Sequence, residues 1–123
     1  MTYVVDHTGA AVWLGLAGRW PADIDRDGGA MVNELVDAVA DVSWLIRKPA
    51  PRSHTRQDIG LIYNAFDLFP ANTLWDRALE LRNDLDAIEP ALSFALAELL
   101  DLPLITLDAS LRERHGRRIV WAG

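Results

Sequence analysis

Thr2-Tyr3-Val4-Val5-Asp6 at one end of the chain and Pro103-Leu104-Ile105-Thr106-Leu107-Asp108 near the other decide the fold. Each is a short, β-rich apolar run closed abruptly by an acid. That is the pattern of a parallel strand buried on both faces, with a carboxylate at its carboxyl-terminal lip. Arg118-Ile119-Val120-Trp121 reads as a last strand. Between these runs the period changes. Met31, Leu35, Val39, Val42 and Ile46 fall near a 3.6-residue spacing, which predicts an amphipathic helix over roughly residues 30 to 48, stopping before Pro49-Ala50-Pro51. A second helical stretch runs from about Thr55 to Phe66, with Ile59, Ile62 and Phe66 on one side, and Asp67-Leu68-Phe69 is a short strand before Pro70. Asn72 or Thr73 then caps a helix carrying Leu74, Trp75, Ala78, Leu79 and Leu81. Asp86 and Glu89 read as a capping box for a further helix to about Leu100, with Leu92, Ala95, Leu96 and Leu99 toward the sheet. Residues 20 to 29 are loop-like by their Asp, Pro and Gly content.

Strand, helices, strand, helix, strand in that order predicts an α/β fold, a three-layer α/β/α sandwich around a mainly parallel sheet. A chain of 123 residues, half of them apolar, suits one domain spanning residues 1–123. Apolar runs are broken well before the ~20 residues that a membrane span needs, and no basic-then-apolar leader is visible. A soluble, unexported, cytoplasmic protein is expected. Without cysteine, thiolate metal sites and disulfides are excluded, and any metal must be held by oxygen or by one of three histidines. His7, His54 and His115 show no ligand spacing. The tryptophans are expected in the core, apart from Trp20 and Trp121 at a surface or contact.

A formal charge of −6 argues against a surface built wholly to attract nucleic acid. Local patches remain, for eleven of the twelve cations are arginine and they cluster at Arg47, Lys48, Arg52, Arg56 and again at Arg112, Arg114, Arg117, Arg118. Open parallel sheets bind ligands at the carboxyl ends of their strands, where Asp6 and Asp108 both fall. Two acids brought together there repel unless water screens them or a cation lies between them. A hard ion such as Mg²⁺ or Mn²⁺ is the economical partner, because it prefers carboxylate and water oxygens. The alternative is that both acids cap helices. Thr8, two places after Asp6, can bond a site acid or water, or serve as a turn or cap.

Tyr3-Val4-Val5-Asp6-His7-Thr8 resembles the opening of PIN-domain proteins, where a hydrophobic strand delivers an acid followed two places later by Ser or Thr. Leu74-Trp75-Asp76-Arg77-Ala78-Leu79-Glu80-Leu81-Arg82, then Ala91-Leu92-Ser93-Phe94-Ala95-Leu96-Ala97-Glu98, then Pro103 to Leu111, is similar to the end of the VapC-type toxins. The resemblance implies a PIN-like sandwich and a ribonuclease that uses three or four acids to hold Mg²⁺ or Mn²⁺. It further implies an RNA substrate, often tRNA or another structured RNA, a homodimer, and an antitoxin protein as partner. Asp6 and Asp108 match the first and last of the acids. For the second, Asp41 fits when the register is read from Trp44-Leu45-Ile46-Arg47-Lys48. Read from Leu35-Val36, the position falls on Val39, with Asp37 the nearest acid. For the third, Pro90 stands where the family has Asp, and Glu89 beside it either reaches the site or only closes the capping box. Arg47, Lys48, Arg52 and Arg112 are the residues expected to hold the RNA backbone. The competing reading is a PIN-like domain that has lost catalysis and serves as a protein- or RNA-binding module.

Overall fold

The computed structural model describes residues 1–40, 52–85, 87–115 and 117–123. Five strands, β1 (Tyr3–Val5), β2 (Gly29–Val32), β3 (Asp67–Phe69), β4 (Leu104–Thr106) and β5 (Ile119–Trp121), form one sheet in the order β3-β2-β1-β4-β5. Every pairing is parallel. From β1 the chain winds outward to β2 and β3, then returns across to β4 and β5. The boundary between β1 and β4 is therefore the topological switch point of the sheet, the place where such folds open a crevice. With this strand order, the right-handed rule for parallel crossovers assigns α1 (His7–Trp13) and α2 (Arg52–Ala65) to one face, and α4 (Ile88–Leu100) and α5 (Ala109–His115) to the other. The architecture is the α/β/α sandwich expected. Among the described residues, no helix is long and apolar enough to cross a membrane.

Tyr3, Val4 and Val5 have no solvent exposure, as befits a central strand covered above and below. Gly9 lets α1 lie directly on the sheet, since a Cβ there would stand 2.0 Å from the Ile105 carbonyl oxygen. Gly29 makes room for the ring of Phe66, the residue after α2, since a Cβ there would meet that ring at 2.1 Å. On the opposite face α4 packs against β1, β2 and β4 and along α3 (Trp75–Leu85). Pro90 sits in the first turn of α4, where its missing N–H has no helical partner to lose. The helix ends at Asp101 in the left-handed conformation, φ 53°. Arg118 secures that end by donating to the Ala97 and Leu102 carbonyls at 3.0 and 3.2 Å.

Three expectations are corrected. The helix over 30 to 48 does not begin as predicted: Gly29–Val32 is a strand, with Met31 paired to Val5 and Leu68, and a 3-10 turn follows over Asn33–Leu35. Met31, Leu35 and Val39 are all buried, so the apolar spacing is real, but a strand buried on both faces has no alternation to announce it. Residues 41–48 of that helix lie outside the described residues. The N-cap of α4 is Ala87, which makes no side-chain cap, and Asp86, one half of the expected capping box, lies outside the described residues. Trp75 and Leu99, assigned to the core, are exposed, at 46% and 63%.

Candidate functional site

Asp6 follows β1 and is the N-cap of α1, with an extended backbone. Its carboxylate is buried and accepts three hydrogen bonds. Oδ1 takes the Gly9 N–H and the Thr8 hydroxyl, each at 2.7 Å, and Oδ2 takes the Thr106 hydroxyl at 2.6 Å. Both threonines also receive a backbone N–H from the turn after β4, Leu107 to Thr8 at 2.9 Å and Asp108 to Thr106 at 3.0 Å. Each hydroxyl thus donates its one proton to Asp6 and accepts one amide. The 3.2 Å approach between the two hydroxyl oxygens consequently carries no proton. The result is a closed clamp that ties the end of β1 to the end of β4 through a charged acceptor, where hydrogen bonds are strongest.

Asp108 follows β4 and joins that clamp through its backbone N–H, while its carboxylate turns to Ser110. Its Oδ1 accepts the Ser110 N–H at 2.9 Å and the Ser110 hydroxyl at 2.6 Å, which shapes the first turn of α5 and, among the described residues, leaves Oδ2 without a partner. The two acids picked out in the sequence follow neighbouring strands at the switch point, and each caps the helix that follows it.

Glu89 is exposed in the first turn of α4, and among the described residues no group of three His, Cys, Asp or Glu side chains stands together as a metal cage. Asp41, Arg47 and Lys48 lie outside the described residues, and Arg52 opens α2. Asp37 is exposed in the turn after β2. Arg112 lies on α5 with its guanidinium 5.1 Å from the centre of the Trp121 ring. His7, beside Asp6, has a buried Nδ1 with no hydrogen-bond partner.

Thr106 is the member that the sequence reading missed. Its signal was present, as a hydroxyl between Ile105 and Leu107 in a run otherwise fit for a core, and it is fully buried. A buried hydroxyl in such a strand needs a partner, and the acid at the end of the neighbouring strand supplies it.

Comparison with solved structures finds the same fold in a toxin–antitoxin complex from Klebsiella pneumoniae. The TM-score is 0.67 and the identity 17%, over 99% of this chain and 98% of that one. The likeness runs through the whole sandwich and is one of fold. No family model matches the sequence, and no curated protein does.

Proposed function

We propose that the chain is a PIN-type, metal-dependent ribonuclease of the VapC toxin kind, held in check by an antitoxin protein. The observation that carries this reading is the place of Asp6 and Asp108 just beyond the neighbouring strands β1 and β4, where the Thr106 hydroxyl joins the Asp6 carboxylate to the Asp108 backbone N–H, at the switch point of a β3-β2-β1-β4-β5 parallel sheet. A toxin–antitoxin complex of the same fold gives it support. The donor set fits a hard divalent ion in part. Among the described residues Asp6 Oδ2 accepts only one bond and Asp108 Oδ2 none, so these two carboxylate oxygens would hold Mg²⁺ or Mn²⁺. A bound ion there supplies a Lewis acid and a water of lowered pKa for hydrolysis of an RNA phosphodiester. The chain's own part is to orient Asp6 through Thr8 and Thr106 and Asp108 through Ser110, and to hold the RNA backbone through arginines at the rim. Asp41 and Glu89 are the proposed further acids, Arg47, Lys48, Arg52 and Arg112 the proposed RNA contacts, and a homodimer the proposed assembly. Asp6→Asn preserves the cap and should abolish Mn²⁺-dependent cleavage of RNA in a folded protein. Retention of full activity by that variant refutes the role.

One observation favours a second reading. Pro90 occupies the place of an acid, and among the described residues no third carboxylate reaches the pair. A module that keeps the fold and binds its partner without cutting RNA has this appearance. It predicts a wild-type protein that engages an antitoxin-like chain yet leaves RNA intact at any Mn²⁺ concentration.

A further inference from the structure

Trp121 ends β5 at the same rim as the acids, in register with Thr106. A tryptophan at such a place would normally be sunk into the fold, yet 42% of it is exposed. Its ring is nevertheless fixed. The indole N–H donates to the Leu107 carbonyl at 3.3 Å, one residue before Asp108. The Gly123 backbone lies so close that a Cβ there would fall 2.3 Å from the ring. Over the ring sits the Arg112 guanidinium. Arg77 and Arg118 are engaged by carboxylates, whereas Arg112 has no acidic partner among the described residues, and its side chain is exposed. A guanidinium held over an indole by cation–π attraction still has N–H donors to offer an anion.

Resting on the nuclease reading, we infer that Arg112 and Trp121 form a nucleotide subsite beside Asp108, which grips the phosphate and stacks the base of an RNA residue neighbouring the one attacked. Charge and shape both suit that ligand. A single-stranded RNA offers an anion for the fork and a flat π-face for the aromatic platform, and stacking of this kind accepts any base. The pair stands at the β5 edge. On the other side of the acids, Glu34 and Asp76 line a hollow with Trp75 and Asn72, whose charge disfavours phosphate. The strand is therefore led in over β5, and its scissile group lies over the Asp6–Asp108 pair.

The test measures anisotropy of a labelled, short, mixed-sequence oligoribonucleotide in the presence of a chelator, so that binding is read without cleavage. Arg112→Gln and Trp121→Ala should each weaken binding about tenfold. Arg112→Gln should also lower the slope of log affinity against log salt by ~0.7, the share of one phosphate on a single strand. Trp121→Phe should retain most of the affinity, and the double variant should lose less than the product of the singles, because the ring orients the fork. Arg82→Gln, an exposed arginine on α3, should stay within twofold. Wild-type protein that fails to bind, variants within twofold of it, or an equal loss in Arg82→Gln would each overturn the subsite. The two readings fail separately. Loss of binding in these variants without any Mn²⁺-dependent cleavage keeps the subsite and removes the nuclease, while cleavage unaffected by them does the reverse.

Discussion

Thr106→Val deletes one oxygen and leaves the shape of the side chain almost unchanged, so its cost isolates the hydroxyl at the centre of the clamp. In the native protein that oxygen donates to the Asp6 carboxylate at 2.6 Å and accepts the Asp108 N–H at 3.0 Å, with no exposure to solvent. The variant loses a hydrogen bond to a charged group and takes the partner from a part-buried N–H. Together these come to about 2–4 kcal/mol. At this chain length a kilocalorie shifts Tm by about 3–5 °C, so a fall of about 10 °C is expected in thermal unfolding followed by circular dichroism. Thr106→Ser keeps the hydroxyl and loses a methyl group, and should cost only about 1 kcal/mol. The contrast between the two variants is the measurement. Equal melting temperatures for Val and Ser, or a Val variant as stable as the native protein, would refute the clamp.

Other expectations follow from the same packing. Gly9→Ala drives a Cβ into the Ile105 carbonyl, which is backbone and cannot swing aside, so a loss of about 3 kcal/mol or more should appear in the urea midpoint; a midpoint near that of the native protein would contradict the close approach. Burial pushes the Tyr3 phenol well above its ordinary range. The folded chain therefore holds that proton while the unfolded chain releases it above about pH 10, and stability present at lower pH is lost as pH rises beyond that point. Tyr3→Phe should flatten this alkaline loss, and an unchanged slope would show that other groups carry it. Arg77 joins α3 to α4 through Glu98 at 2.9 and 3.0 Å, but it is half exposed, so Arg77→Met should lower Tm by only a few degrees, an effect that fades in high salt.

How far the sequence disclosed all this depends on which interaction fixed each element. Runs whose burial is total and local, such as Tyr3–Val5, Leu104–Thr106 and Ile119–Trp121, were legible, because an apolar stretch closed by a polar residue admits few other structures. Helix α2 and strand β3 were legible too. Gly29–Val32 was not. Glycine, alanine and methionine carry little strand preference, and what makes them a strand is the slot between Val5 and Leu68, a feature of the assembled sheet. Short α1 and α5 lack a full apolar period and were equally silent; Asp6 and Asp108 start them through side-chain bonds that only the fold supplies. At the site, an acid ending a strand could be read from Tyr3-Val4-Val5-Asp6 alone, but Thr106 acquires its meaning only when β4 lies beside β1. The exposure of Trp75 and Leu99 was hidden for the same reason, since helical spacing names an apolar face without saying whether a neighbour covers it.

Titration calorimetry of the wild-type protein with Mn²⁺, repeated on Asp6→Asn and Asp108→Asn, probes the shared rim most directly. One ion bound per chain, with affinity lost in both variants while their folds persist, is the expected result. Absence of any heat of binding at millimolar Mn²⁺, or binding that neither substitution disturbs, would contradict a cation held between the ends of β1 and β4.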